Sequence, residues 1–395
     1  MRILIAPDSF KGSLSAMEAA QSMARGVRSV FCSAVCDLAP IADGGEGTVD
    51  ALTAATAGEI RTATVRGPLG KPVEARWGLL GKGRAAVVEM AAASGLPLLK
   101  PEERDPLRAD SYGTGELIRA ALAALHDPAH GGREADSEHD RPTLIIGIGG
   151  SATNDAGSGA LRALGLRFLD ASGKDLEPGG AALAGLARID RTGIEPLLAK
   201  TRIRVACDVD NPLVGERGAS AIFGPQKGAS PAMARELDHA LTRFARIARE
   251  CTGKNLAATP GAGAAGGLGA GLLFFAGASL EPGIAIVLEA TDMAARAAWA
   301  NLVLTGEGRS DFQTAYGKAP VGVAKIAKRH GKPVICISGA LGPGAEAVYD
   351  QGIDVLAAAV CSTDSLEYCM EHAGMLLEHA TARVCRALRA GMGLA

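Results

Sequence analysis

A chain of 395 residues is longer than one hydrophobic core usually supports, so two domains are expected. Its 48% hydrophobic and 21% charged residues exclude a disordered chain, and no apolar run of about 18 residues offers a membrane span. A formal net charge of −2 argues against binding nucleic acid through a basic face.

The chain starts on an expected strand at residues 2–6 with no signal-peptide architecture, so a soluble, cytoplasmic protein is expected. An Ala-rich helix over 15–30 follows, with Ser15 as its cap. A second strand is expected at 35–38 and a second helix at 46–55. From about 72 to 283 the texture changes: strands shorten, loops lengthen, and most of the glycine clusters fall here. The polar stretch 126–141 reads as an exposed loop, and its His126, His130 and His139 suit a solvated insertion better than a metal site. The first rhythm then returns, with strands at 301–305, 334–338 and 354–358, a helix over 318–330 and a final helix from about 366. Strands alternating with helices mark an α/β protein with largely parallel strands. Both chain ends therefore read as one discontinuous domain, 1–71 with 284–395, into which 72–283 is inserted as a second α/β domain. The eight cysteines lie in apolar contexts and read as buried reduced thiols. Cys32 and Cys36 lack a second ligand pair of zinc spacing.

The loops carry the chemistry. A strand ending at Gly147 runs into Ile148-Gly149-Gly150-Ser151-Ala152-Thr153-Asn154-Asp155, with a helix expected from Asp155. Glycines let a backbone approach an anion, and a helix N-terminus supplies free N–H groups. Gly147, Gly149 and Ala152 also satisfy G-x-G-x-x-A, with Asp170 near the position of a ribose-binding acid. Spacing alone therefore allows a nicotinamide-dependent dehydrogenase. That reading leaves four other acidic loops without a role: those at 6–13, 41–48, 206–213 and 305–311, each after an expected strand. Phosphoryl transfer uses them all, because it needs positioned donors, cations against phosphate and a carboxylate near the attacking hydroxyl. No G-x-x-x-x-G-K-[ST] and no H-R-D or D-F-G set is present, which excludes P-loop and protein kinases. No G-x-S-x-G elbow supports a serine hydrolase.

Six blocks in order, APDSFKGSLS (6–15), IADGGEGT (41–48), GIGGSATNDAG (147–157), DVDNPL (208–213), GAGAAGGLG (261–269) and TGEGRSDFQTAYGK (305–318), closely resemble the bacterial glycerate kinase type 1 family. The resemblance runs nearly end to end. It implies ATP-dependent phosphorylation of D-glycerate with Mg²⁺, with 2-phosphoglycerate the expected product and 3-phosphoglycerate the alternative. It also implies two α/β domains, one Rossmann- or flavodoxin-like, with the active site in the inter-domain cleft. The chain departs from the family at Ala156, where the family often has glycine. A helix there tolerates alanine, so no loss is expected.

Within these blocks Gly149, Gly150 and Ser151 are expected to offer donors to nucleotide phosphate, with Asn154 and Asp155 behind them. The glycines around Gly266 and Gly267 are expected to form a second anion-binding helix start. Lys11 suits a phosphate or the glycerate carboxylate, and Arg309 suits that carboxylate as a bidentate fork. Asp8, Ser9, Glu307 and Asp311 are candidate substrate contacts. Asp43 and Asp208 are the candidate catalytic carboxylates, and Glu46 and Asp210 the candidate metal ligands; the sequence does not separate these roles. Strand alternation would point Asp208 and Asp210 at one ligand.

Overall fold

The computed structural model describes residues 1–45, 47–81, 83–128, 140–361 and 363–393. They form two compact units, each with its own sheet.

The first unit comprises Met1–Asp43, Asp50–Ala57 and Ile284–Ala395. Its five strands are all parallel, in the order Val355–Ala358, Val334–Ser338, Leu302–Gly306, Arg2–Pro7, Val35–Leu38. Numbered along the chain this is 2-1-3-4-5, the flavodoxin-like order, in which ligands sit where the strand order reverses, between the first and third strands. The three central strands are buried almost throughout, which is why they read in sequence as continuous aliphatic runs rather than alternating ones. Ile3, Ile5, Leu304, Ile335 and Ile337 pack there with Met23 and Leu377.

Helix Ala16–Arg28 starts on a capping box. The Ser15 hydroxyl accepts from the Glu18 N–H, and the Glu18 carboxylate accepts from the Ser15 N–H at 2.8 Å. Its inner face lies against helix Ala373–Met392, with Arg25 and Glu378 paired at 2.7 Å. The expected final helix is broken in two at His372, Leu366–Glu371 preceding Ala373–Met392. The helix expected at 46–55 spans Thr48–Ala55.

The second unit comprises Gly44–Val49 and Gly58–Gly283. Its six-stranded sheet runs Ser279–Glu281, Arg202–Ala206, Thr143–Gly147, Ala85–Glu89, Pro72–Leu80, Glu59–Arg66. The first four are parallel, and the last two form an antiparallel hairpin at one edge. Trp77, Leu117, Ile146, Leu268 and Leu272 belong to the core against this sheet. A second core gathers four of the chain's eight phenylalanines: Phe244 lies 6.1 to 6.5 Å, centroid to centroid, from Phe168, Phe274 and Phe275. Burying each such ring contributes about 1.5–3 kcal/mol.

Within the polar stretch, residues 129–139 with His130 and His139 lie outside the described residues. His126 ends helix Tyr112–Leu125, and its Nε2 meets the Thr201 hydroxyl at 2.8 Å. Among the described residues, no helix is long and apolar enough to cross a membrane.

Candidate active site

The first unit holds a pocket of about 420 Å³ at its strand-order switch point. It is built from the turns that follow strands Arg2–Pro7 and Leu302–Gly306. The two turns are laced together: the Asp8 N–H donates to the Gly306 carbonyl at 2.8 Å, and the Thr305 hydroxyl to the Ala6 carbonyl at 2.8 Å. Gly306 also lets the strand end pack against its other neighbour, since a Cβ there would overlap the Ile337 carbonyl. The loop carrying Asp43 runs alongside, through Ile41 N–H to the Pro7 carbonyl at 3.0 Å.

Asp8, Ser9, Lys11, Asp43, Glu307, Arg309 and Asp311 all line this one pocket. Burial, then the neighbouring carboxylate of Asp43, push the Asp8 carboxyl up to about 7, with Glu307 adding to the effect and Lys11 opposing it. Glu307 is buried, and its Oε1 accepts from the hydroxyls of Thr314 at 2.6 Å and Ser310 at 2.9 Å. Burial raises its pKa, and those two hydroxyls pull it back. Arg309 is exposed and sits 4.0 Å from Asp311, leaving its guanidinium at the pocket mouth. Lys318, the last residue of the 305–318 block, also lines the pocket, though its sequence suggested no role. One wall is apolar: Leu366, Cys369, Met370, Ala373 and Leu376 come from the two C-terminal helices, whose sequence carries no motif.

The second unit carries the Gly149 loop. Gly149 and Gly150 are exposed, while Ser151, Asn154 and Asp155 are buried. The loop is pinned to residues 94–96 by Ala152 N–H to the Ser94 carbonyl and Leu96 N–H to the Gly150 carbonyl, both 2.9 Å. The helix starts at Ser158, not Asp155. Asp155 instead accepts from the N–H groups of Gly157, Gly159 and Ser111 and from the Ser111 hydroxyl, at 2.8 to 3.1 Å. The protein's own carboxylate therefore occupies the helix start that the sequence offered to an external anion. Ala156 has φ +54, so it is not helical and bears left-handed strain that glycine would escape. The expectation that a helix accommodates alanine at this position is corrected.

Gly266 and Gly267 are buried against the same loop. A Cβ on Gly266 (φ +65) would overlap the Thr153 carbonyl, and the Ala156 N–H donates to the Gly266 carbonyl at 3.0 Å. They back the loop from within. Asn154 donates to the Ser220 hydroxyl at 2.9 Å. One residue went unremarked in the sequence: Lys227, only 1% exposed, donates to the Ser151 hydroxyl and the Thr153 carbonyl, each at 2.7 Å.

Asp208 and Asp210 are hydrogen-bonded to different groups. The strand stops at Ala206, so alternation lapses before reaching them. Asp208 accepts from the Gly283 N–H at 3.0 Å, while Arg217 donates to both oxygens of the exposed Asp210 at 3.0 Å. Glu46 lies outside the described residues. Asp170 accepts from the N–H groups of Ser172 and Lys174, closing its own turn. Among the described residues, no three His, Cys, Asp or Glu side chains form a metal-binding group.

The glycerate kinase family model matches residues 3–389. The chain is 50% identical over 395 residues to the glycerate kinase of Bacillus subtilis (strain 168), covering 100% of this chain and 98% of that protein. It is 47% identical over 392 residues to the glycerate 2-kinase of Escherichia coli (strain K12), covering 99% of each. A Salmonella typhimurium LT2 protein assigned as glycerate kinase 2 has a crystal structure similar to this chain, with a TM-score of 0.88 at 47% identity over the full length of both. Nothing among these relatives supports a dehydrogenase.

Proposed function

This chain belongs to the glycerate kinase family and is a kinase, and we propose that it phosphorylates D-glycerate from ATP to give 2-phosphoglycerate. The observation that carries the reading is the pocket that a partly buried carboxylate, Asp8, shares with two cations, Lys11 and Arg309. Lys11 and Arg309 hold the glycerate carboxylate, Arg309 as a planar fork. That orients the acceptor hydroxyl towards Asp8, whose carboxyl, titrating near neutrality, is matched to accept its proton as the oxygen attacks phosphorus. Asp43 keeps Asp8 poised through like-charge repulsion, and Asp311 steers Arg309. The γ-phosphoryl group leaves ADP in an in-line displacement, and the charge on its oxygens is met by positioned donors rather than by covalent chemistry. The exposed Gly149 and Gly150 with Ser151 supply donors of this kind to the nucleotide phosphates.

Mg²⁺ is assigned to the nucleotide. The described residues form no protein-only metal group, and Asp210, with Arg217 on both oxygens, does not fit one. An ion carried in on ATP phosphates neutralises their charge and needs few protein ligands. The eight free cysteines suit the reducing cytoplasm to which we assign the protein.

The test is turnover of D-glycerate and ATP by the purified chain, with the phosphorylated carbon identified by NMR. A phosphate on C2 is the expected result. A phosphate on C3 would replace the 2-kinase by the alternative, and absence of turnover by folded protein would remove the reading.

A further inference from the structure

A fully buried lysine is rare, because an ammonium removed from water must recover its hydration from protein groups. Lys227 meets that demand with residues on both sides of Ala152: the Ser151 hydroxyl and the Thr153 carbonyl, each at 2.7 Å. It reaches them from the short turn Pro225–Lys227. The helix just before that turn, Ala219–Phe223, contributes Ser220, which accepts from Asn154. Residues 151, 153 and 154 are thus gripped from one side by one segment of chain. The charged group that acts on the ammonium is Asp155, whose oxygens already accept four hydrogen bonds from Ser111, Gly157 and Gly159.

The hydrogen bond to Ser151 has a direction. In its charged form Lys227 only donates, so the Ser151 oxygen is then the acceptor, and its own O–H points elsewhere as a polarised donor. Beside it stand the exposed Gly149 and Gly150. We propose that Lys227 is a positioning residue for nucleotide binding: it holds the 149–153 loop in shape, aims the Ser151 hydroxyl at a phosphate oxygen and places a buried positive charge behind it. The inference rests on the assignment of this loop to the nucleotide phosphates.

Burial brings the Lys227 ammonium down to about 7, with Asp155 opposing the fall. At pH 8 it is therefore largely neutral until an anion arrives, and a polyphosphate restores its proton. The experiment is calorimetry of a non-hydrolysable ATP analogue with Mg²⁺ binding to the full chain at pH 8, in buffers of different ionisation enthalpy. Wild type is expected to take up close to one proton per nucleotide, and no uptake would overturn the proposal without any variant being made. Lys227→Met is expected to abolish the uptake and raise both the nucleotide Kd and the KM for ATP at least tenfold, with the KM for glycerate unchanged. A folded Lys227→Met chain with wild-type nucleotide Kd would also overturn it. Gly149→Asp, which sets a carboxylate on the exposed loop, separates the two ideas. If it blocks the analogue while Lys227→Met does not, only the lysine's role falls. If neither variant weakens binding, the phosphate assignment falls and the lysine's role with it.

Discussion

Asp8 carries opposing demands. Its carboxyl is raised from an ordinary 3.8 to about 7, chiefly by burial and then by Asp43, so the fold favours the protonated form. The corresponding stability is fully present below about pH 4 and is lost as pH rises through 7. Asp8→Asn keeps the neutral shape at every pH. It should match wild type in thermal stability near pH 4 and exceed it at pH 8, by on the order of 2 kcal/mol. The same change should lower kcat by at least about 100-fold, because the base is gone. Wild-type kcat should rise with pH through about 7 as that base ionises. A variant that kept its activity would return the role of base to Asp43. At Ala156 the strain is in the backbone, at φ +54. Ala156→Gly should stabilise the protein by roughly 1 kcal/mol, read from denaturant midpoints at unchanged slope.

The central strands were legible as elements because a parallel strand buried on both faces needs β-branched and aliphatic residues throughout, as in residues 334–338. Helix Ala16–Arg28 was legible because its cap is local, with Ser15 and Glu18 satisfying each other. The helix near Asp155 was misplaced by three residues for a non-local reason. Ser111, distant in sequence, meets the carboxylate that would otherwise have opened the helix, and residues 156–157 adopt left-handed geometry instead. The glycine-rich block 261–269 is also decided by packing. Gly266 backs the Thr153–Ala156 backbone, so Gly266→Ala should lower thermal stability and raise the KM for ATP together. A variant with weakened nucleotide binding but wild-type stability would instead make Gly266 a direct ligand contact.

For the whole molecule, the assignment of acceptor and donor to different units has a spatial signature. Glycerate should slow amide hydrogen exchange around residues 8–11 and 307–311, and an ATP analogue around 149–155. The reverse pattern would exchange the two assignments. By sequence alone, strand–helix alternation determined the α/β class, and the ordered acidic and glycine-rich blocks determined the family and seven polar residues that line the first unit's pocket. Those blocks are short loops after strands, and their chemistry is written in contiguous residues. Tertiary structure decided which carboxylate is raised towards neutrality, that Asp208 and Asp210 are hydrogen-bonded to different groups, and that Lys227 lies buried beneath the Ser151 loop. The first and last depend on burial and on neighbours far away in the chain; Asp208 meets Gly283, 75 positions on, while the exposed Asp210 pairs with Arg217 only 7 positions away. A lysine 76 positions from Ser151 gives no local sign that its ammonium ends 2.7 Å from that hydroxyl.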